Sequence, residues 1–187
     1  MGCKKARRAL FPNKKNVLRG ERVLVGLFGD THDNLPMIEK AVKRLNQETV
    51  ELVLHTGDYV SPFVVPKFKE LKARLIGVFG NNDGNRELLK KRFSENERLE
   101  MRGSFARIAI DDLEIALLHG DDEELLKALI EKSTFDVVVH GHSHRAEGCR
   151  KGKVLVINPG EACGYLSGKS TIAVLDTSKR DVKIVGL

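Results

Sequence analysis

Short apolar runs, each bordered by glycine and polar residues, recur along the chain and constrain its fold more than any other feature. Such runs predict buried strands, because a continuous apolar stretch of a few residues suits a strand covered on both faces. Glycine permits the tight turns at their ends. The polar residues beside the runs include types that bind divalent metals, and they fall in five segments: Gly29-Asp30-Thr31-His32, Gly57-Asp58, Gly80-Asn81-Asn82-Asp83, Leu118-His119-Gly120 and Gly141-His142-Ser143-His144.

The spacing of apolar residues predicts the remaining elements. We expect helices over residues 35–47, 63–72, 87–93 and 123–132, where apolar positions recur at helical intervals. We expect strands over residues 21–28, 52–54, 75–79, 105–110, 113–118, 137–139, 154–157, 171–175 and 182–185. Strands alternate with helices first and form hairpins later, which predicts an α/β fold: a layered α-β-β-α sandwich with two mixed sheets flanked by helices.

The net charge of +6 comes from the N-terminal residues. Residues 1–20 hold seven basic residues and no acidic one, whereas residues 21–187 hold 25 basic and 26 acidic residues. A body so close to neutrality lacks the broad basic face of a nucleic-acid binder, so we expect nucleic acid only as a substrate. We expect residues 21–187 to form a single domain. Residues 1–20 are expected to be a basic extension that is either disordered or the product of a start site placed too far upstream.

Cysteine content and apolar run length bear on the location of the protein. No apolar run approaches the roughly 20 residues needed to span a membrane. The three cysteines, Cys3, Cys149 and Cys163, form no C-x-x-C pair, so we expect a reducing, cytoplasmic location. Met1-Gly2-Cys3 leaves an acylated anchor as an alternative, although Ala6 stands where that signal requires Ser or Thr.

The polar residues that follow the strands predict a metal centre. Loops at the carboxyl ends of strands converge at one edge of an α/β sheet. Mixed imidazole and carboxylate ligands suit borderline divalent ions, and two such ions against two carboxylates leave about +2 of charge, which attracts a phosphate ester. We expect two divalent metal ions, with Mn²⁺ as the first choice and Ni²⁺, Fe²⁺ or Zn²⁺ as alternatives. The candidate ligands are Asp30, His32, Asp58, Asn81, His119, His142 and His144.

In this order, the patterns D-x-H, G-D, G-N-x-D, H-G and G-H-x-H resemble the calcineurin-like metallophosphoesterase family. The similarity runs from about Val23 to the C-terminus, and the GEACGYL stretch that begins at Gly160 is most similar to the small bacterial and archaeal phosphodiesterases. The resemblance implies in-line attack on phosphorus by a dimetal-bound hydroxide, with no covalent protein intermediate. It also implies one ion bound by Asp30, His32 and His144, a second bound by Asn81, His119 and His142, and Asp58 as the bridge.

One position departs from that family pattern. Many relatives carry His where this chain has Asn82, which can donate a hydrogen bond but cannot deliver a proton as a general acid. Leaving-group protonation then falls to water or another residue, or the enzyme prefers good leaving groups. We expect catalytic roles for Asp58, Asn81, Asn82 and Asp83, with Asp83 orienting the turn rather than reacting.

The expected function is therefore metal-dependent hydrolysis of small phosphodiesters. A phosphomonoesterase that uses the same metals is one alternative. The other is a protein-interaction scaffold like the retromer subunit of eukaryotes, which has this fold with a degenerate centre. A scaffold has no need of all seven candidate ligands, which favours the enzyme. We also expect a homodimer, since short proteins of this kind often associate through exposed strands or helices.

Overall fold

Two β-sheets packed against each other form the centre of the fold, which a computed structural model describes for residues 23–187. The extension expected at residues 1–20 lies outside the described residues. The strands are β1 (Leu24–Phe28), β2 (Leu52–His55), β3 (Arg74–Gly77), β4 (Leu99–Met101), β5 (Phe105–Ile110), β6 (Leu113–Leu118), β7 (Val137–Val139), β8 (Glu147–Lys151), β9 (Val154–Asn158), β10 (Thr171–Asp176) and β11 (Asp181–Gly186). The helices are α1 (Leu35–Gln47), α2 (Val65–Phe68), α3 (Arg86–Ser94) and α4 (Glu123–Glu131).

Both sheets are mixed, as expected. The first has six strands in the order β11-β10-β1-β2-β3-β4, with β1 to β4 parallel to one another, β10 antiparallel to β1, and β11 antiparallel to β10. The second has five strands in the order β5-β6-β7-β9-β8, in which β6, β7 and β9 are parallel and β5 and β8 are antiparallel edges. Each sheet therefore has a parallel centre whose strands end at the same edge.

Three apolar layers hold the sheets and helices together and confirm the α-β-β-α architecture. Leu27, Leu54 and Ile115 are fully buried in the layer between the two sheets. Helices α1, α2 and α3 cover the outer face of the first sheet in a cluster that includes Phe28 and Phe68. Helix α4 covers part of the outer face of the second sheet. Burial of these apolar surfaces is the main force that assembles the layers.

Helix α1 spans the range expected from its sequence. The side chain of Asn34 accepts a hydrogen bond from the backbone N–H of Met37, and Pro36 lies in the first turn, where its missing N–H has no effect. The buried face carries Ile38, Ala41, Val42 and Leu45. Among the described residues, no helix is long and apolar enough to cross a membrane.

The long helix expected over residues 63–72 is wrong. A 3₁₀ turn at Pro62–Val64 leads instead into the single turn of α2. Pro66 has no N–H to donate to the carbonyl of Pro62 and stands in the first turn of α2, where proline is tolerated, so the α-helix begins here and not at residue 63. Strands β4 and β8 were also not expected, and β8 lacks an apolar run because it is an exposed edge strand.

Candidate metal centre

The candidate ligands lie in loops that follow the parallel central strands of both sheets. In the first sheet the loops follow β1, β2 and β3, and in the second sheet they follow β6 and β7. The two edges join where Nδ1 of His119 donates a hydrogen bond to the backbone carbonyl of Thr56, at 2.9 Å. The loops carry, in chain order, Asp30 with His32, then Asp58, Asn81 and His119, and finally His142 with His144.

One group of ligands forms around Asp30. One ligand atom from each of Asp30, His32 and Asp58 lies within 4.8 Å of the other two. Nε2 of His144 lies 3.5 Å from Oδ1 of Asp30, and the ring centroids of His32 and His144 are 5.2 Å apart. The structure thus brings together Asp30, His32 and His144, the set that the resemblance assigns to one ion.

A second group forms around the side-chain oxygen of Asn81. Nε2 of His119 lies 2.9 Å from Oδ1 of Asn81, and Nδ1 of His142 lies 3.0 Å from the same atom. The rings of His119 and His142 meet edge to face, with centroids 5.1 Å apart. These are the three residues that the resemblance assigns to the other ion.

Asp58 lies between the two groups. Its Oδ2 atom is 3.4 Å from Nε2 of His32, in the first group, and 3.4 Å from Nε2 of His119, in the second. Only 1% of the side chain is exposed. A carboxylate oxygen equidistant from both groups has the position that a bridging ligand requires.

The ligand atoms of the second group are arranged to hold a positive charge between them. Because Nδ1 of His119 donates to Thr56, a neutral ring turns the lone pair of Nε2 toward the oxygen of Asn81, so two acceptors face each other. A proton can occupy that place, and interaction with Asp58 raises the pKa of His119 even though burial lowers it. A bound divalent cation satisfies the same atoms without protonating the ring.

The first group also has buried polar atoms that a bound cation would satisfy. Oδ1 of Asp30 and Nε2 of His32 are buried, and neither has a hydrogen-bond partner among the described residues. Burial raises the pKa of Asp30 to about 6, since a carboxylate removed from water is unfavourable without a compensating cation. The imidazole, carboxylate and amide donors fit borderline divalent ions of the Mn²⁺ to Zn²⁺ series. Both groups therefore fit the metals that the sequence predicts.

Five of the seven candidate ligands have a left-handed backbone. The φ angles are 48° at Asp30, 40° at His32, 58° at Asp58, 66° at His142 and 58° at His144. This conformation is uncommon for residues other than glycine, and it costs on the order of 1–3 kcal/mol at each position. Backbone strain of this kind recurs at functional sites. There the surrounding contacts keep the residue in the strained conformation and so fix the direction of its side chain.

Asn82 and Asp83 both hold the loops of the centre. Asn82 donates from its backbone N–H to Oδ1 of Asp58 at 2.9 Å and from its amide to Oδ2 at 2.8 Å. Burial raises the pKa of Asp58. Hydrogen bonds from His119 and Asn82 outweigh this effect and hold the pKa well below its usual range. The carboxylate of Asp83 accepts backbone N–H groups of Tyr59, Val60 and Gly80 at 2.7–2.9 Å.

Glu161 belongs to the site but was not identified from the sequence. It is fully buried, and its carboxylate accepts a hydrogen bond from Nδ1 of His144 at 2.9 Å. The backbone N–H groups of Leu166 and Ser167 and the thiol of Cys163 also donate to it. The one available signal was its place in the loop after an apolar strand, beside Asn158-Pro159-Gly160.

A groove opens beside the second group and leaves room for a ligand. Its volume is about 830 Å³, and it lies between α4 and the turn that joins β8 to β9. Gly141 and His142 line one end, and Leu126 and Ile130 of α4 line the side. Of the seven candidate ligands only His142 lines the groove, which therefore adjoins the second group and not the first.

Comparison with known proteins agrees with this geometry. Residues 23–180 match the model of the calcineurin-like phosphoesterase superfamily domain. Phosphodiesterase MJ0936 from Methanocaldococcus jannaschii is 42% identical over 163 residues, which cover 87% of this chain and 98% of that protein.

Two solved structures have the same fold. The structure of an archaeal phosphodiesterase has a TM-score of 0.84 and 43% identity, and the match covers 88% of this chain and all of that one. Vacuolar protein sorting 29 from Cryptosporidium parvum has a TM-score of 0.63 at 22% identity, over 89% of this chain and 98% of that chain. The domain match and the archaeal relative together show that the chain belongs to the calcineurin-like phosphoesterase superfamily.

Proposed function

We propose that this protein is a metal-dependent phosphodiesterase that hydrolyses small phosphodiesters at a centre for two divalent ions. The observation that carries the proposal is the position of Asp58, whose Oδ2 lies 3.4 Å from a histidine of each ligand group. Similarity to the archaeal phosphodiesterase supports the diester as the substrate. The proposal includes all seven candidate ligands, Asp30, His32, Asp58, Asn81, His119, His142 and His144.

When bound, two divalent ions would neutralise phosphate charge and lower the pKa of a bound water, which is the chemistry that hydrolysis of a stable diester requires. The contribution of the protein is to orient the candidate metal ligands. Thr56 holds the ring of His119, Glu161 holds the ring of His144, and Asn82 holds the carboxylate of Asp58. These contacts point the ligand atoms inward before any ion or substrate binds.

Direct in-line attack by a water-derived nucleophile is the proposed reaction, without a covalent protein intermediate. The thiol of Cys163 lies within 4.8 Å of nitrogen atoms of His32 and His144. Burial raises its pKa to about 12, so it is protonated at neutral pH and unsuited to attack phosphorus.

The proposal extends to the metal and to the setting of the enzyme. Mn²⁺ is the proposed ion, and Ni²⁺, Fe²⁺ or Zn²⁺ would suit the same donors. The free thiols of Cys149 and Cys163 support a reducing, cytoplasmic location. A homodimer is part of the proposal, and size-exclusion chromatography with light scattering tests it.

Hydrolysis assays on metal-stripped protein test the function. Mn²⁺, Ni²⁺, Zn²⁺ and Mg²⁺ are added back singly, and bis-p-nitrophenyl phosphate is compared with p-nitrophenyl phosphate. We expect metal-restored cleavage that favours the diester, loss of that cleavage in Asp58→Asn, and full activity in the control Asp121→Asn, whose side chain is exposed.

The alternatives give different results in the same assay. A preference for p-nitrophenyl phosphate would identify a phosphomonoesterase. No cleavage with any metal, although calorimetry detects two bound ions, would favour a scaffold of the retromer-subunit type. The retention of all seven candidate ligands argues against the scaffold.

A further inference from the structure

Three large apolar side chains face solvent on loops that hydrogen bonds connect to the first ligand group. Exposed fractions are 82% for Phe63, 77% for Leu166 and 61% for Tyr165, the highest among large apolar residues in the part of the chain that the structure describes. We call these three residues the apolar rim. Large apolar side chains that cluster on a surface commonly mark a binding site, because exposure to water gives them no stabilising contacts.

Tyr165 and Leu166 are linked to the metal ligands by two hydrogen bonds. The backbone N–H of Leu166 donates to Glu161 at 3.0 Å, and the same carboxylate accepts Nδ1 of His144 at 2.9 Å. The loop that carries these two side chains is therefore fixed to the first ligand group.

Phe63 is linked to the same side of the centre. The hydroxyl of Ser61, two residues earlier, donates to Asp33 at 2.8 Å, and Asp33 follows the candidate ligand His32. Asn34, the next residue, donates from its amide to the backbone carbonyl of Cys163 at 2.9 Å. Residues 32–34 thus connect both rim loops to each other and to the first ligand group.

The local structure turns the Phe63 side chain outward. It lies in the 3₁₀ turn that precedes α2, and the next two residues, Val64 and Val65, are buried at 0% and 1% exposure. The turn directs its valines into the core and leaves the phenyl ring in solvent. Packing of the core thus leaves most of the Phe63 side chain exposed to water.

A charged metal centre binds phosphate but does not distinguish one organic ester from another. That discrimination requires contacts with the organic group, and two of the three rim residues are aromatic. Aromatic side chains stack on planar rings, and such stacking tolerates any base because every base has a π-face.

We propose that the apolar rim binds a planar aromatic group of the substrate, so that the preferred substrates are phosphodiesters of nucleoside-like alcohols. This inference rests on the proposed function and specifies its substrate class. Phe63 and Tyr165 stack on the ring, and Leu166 covers its edge. The metal centre holds the phosphate at the same time.

Calorimetry with two probes on Mn²⁺-loaded protein tests the proposal without relying on turnover. The probes are thymidine 5′-monophosphate and methyl phosphate, which share the phosphate and differ in the ring. We expect wild-type protein to bind the thymidine probe about tenfold more tightly. Tyr165→Ala and Phe63→Ala each remove most of this preference and leave the affinity for methyl phosphate unchanged.

Matched variants separate a ring contact from other effects. Tyr165→Phe keeps the ring and should retain the preference, whereas loss of the preference in this variant would overturn stacking as its cause. Leu125→Ala, on the exposed surface of α4 at 41% exposure, should leave both affinities unchanged. Equal affinities for both probes in wild-type protein would overturn the proposal.

Failure of the rim can be told apart from failure of the proposed function. Metal-restored cleavage of bis-p-nitrophenyl phosphate, together with equal binding of the two probes, would overturn the rim alone. Absence of cleavage, together with a ring preference that Tyr165→Ala removes, would support the rim as a binding site for aromatic rings. The same result would overturn the proposed phosphodiesterase activity.

Discussion

Glu161 accepts a hydrogen bond at 2.9 Å from Nδ1 of His144, a candidate metal ligand 17 residues away along the chain. A proton held on Nδ1 leaves the lone pair of Nε2 free, and Nε2 is the atom that lies 3.5 Å from Asp30. Carboxylate–histidine pairs of this kind orient a metal-binding ring and increase its basicity. Glu161 is thus a positioning residue for His144.

Glu161→Gln should weaken metal binding. The amide keeps one acceptor oxygen where the carboxylate has two, and its NH₂ group faces donors, so we expect the affinity for Mn²⁺ at one of the two ions to fall about 10- to 100-fold. Calorimetric titration of metal-stripped protein measures this change, with the exposed Glu124→Gln as control. Equal affinities in wild type and Glu161→Gln would show that the ring of His144 does not need this partner.

The same carboxylate should make the stability of metal-free protein depend on pH. Burial raises the pKa of Glu161, but hydrogen bonds from Ser167, His144 and Cys163 outweigh it and hold the pKa well below the ordinary value of 4.5. A depressed pKa in the folded state means that the ionised group stabilises the fold above pH 4.5, and that this contribution is lost as the pH falls further.

The comparison that tests this dependence is the free energy of unfolding in urea for wild type and Glu161→Gln. We expect a difference of about 1–3 kcal/mol at neutral pH, in favour of wild type. The difference should shrink steadily below pH 4.5. A difference that grows on acidification would contradict the sign of the pKa shift.

Local sequence patterns predicted much of this fold because the relevant interactions are local. The range of α1 follows from the Asn34 cap and from apolar residues at helical spacing, both within 13 residues. Strand β8 carries no such pattern, since its residues are mostly exposed and its place in the sheet comes from backbone bonds with β9. The helix expected over residues 63–72 is instead a 3₁₀ turn followed by the single turn of α2, in which Pro66 lies at the start.

For the candidate site too, the sequence predicts the features that depend on local residues and misses those that depend on distant ones. Glycine and a polar residue at the end of an apolar run predict which residues reach the edge of a sheet. They do not predict which distant side chain supports them. Strands β8 and β9 separate Glu161 from His144 along the chain, so no local pattern predicts its role. Likewise, the bond from Asn82 to Asp58 joins residues 24 positions apart.

Asn82→His should change the dependence of rate on the leaving group. An imidazole can deliver a proton to a poor leaving group, but the substitution removes the 2.8 Å amide contact with Asp58. We therefore expect lower rates on p-nitrophenyl diesters and a higher ratio of phenyl to p-nitrophenyl ester cleavage. Asn82→Ala, which lacks both groups, should leave that ratio unchanged, and equal ratios in the two variants would count against proton delivery.

Asp83→Asn should reduce stability more than turnover. The Asp83 carboxylate is 5% exposed, and its two oxygens accept three backbone N–H groups, so an amide leaves at least one of them without an acceptor. We expect a loss of about 1–3 kcal/mol in the free energy of unfolding, with kcat within about threefold of wild type where the variant is folded. A large fall in kcat without loss of stability would instead assign Asp83 a direct part in the reaction.

Gly80→Ala should displace the bridging carboxylate. A Cβ atom at this position would lie 2.6 Å from the backbone nitrogen of Asp58 and would also contact Oδ1 of its carboxylate. The nitrogen belongs to the backbone, so the clash cannot be relieved by turning a side chain. We expect kcat/KM on bis-p-nitrophenyl phosphate to fall at least about tenfold, with a stability loss of about 1–3 kcal/mol. Gly84→Ala is the matched control, because its nearest neighbour would be the carbonyl oxygen of Val60 at an ordinary 3.7 Å. If both variants keep wild-type activity, the Asp58 carboxylate tolerates displacement and is not the bridge between the two ligand groups.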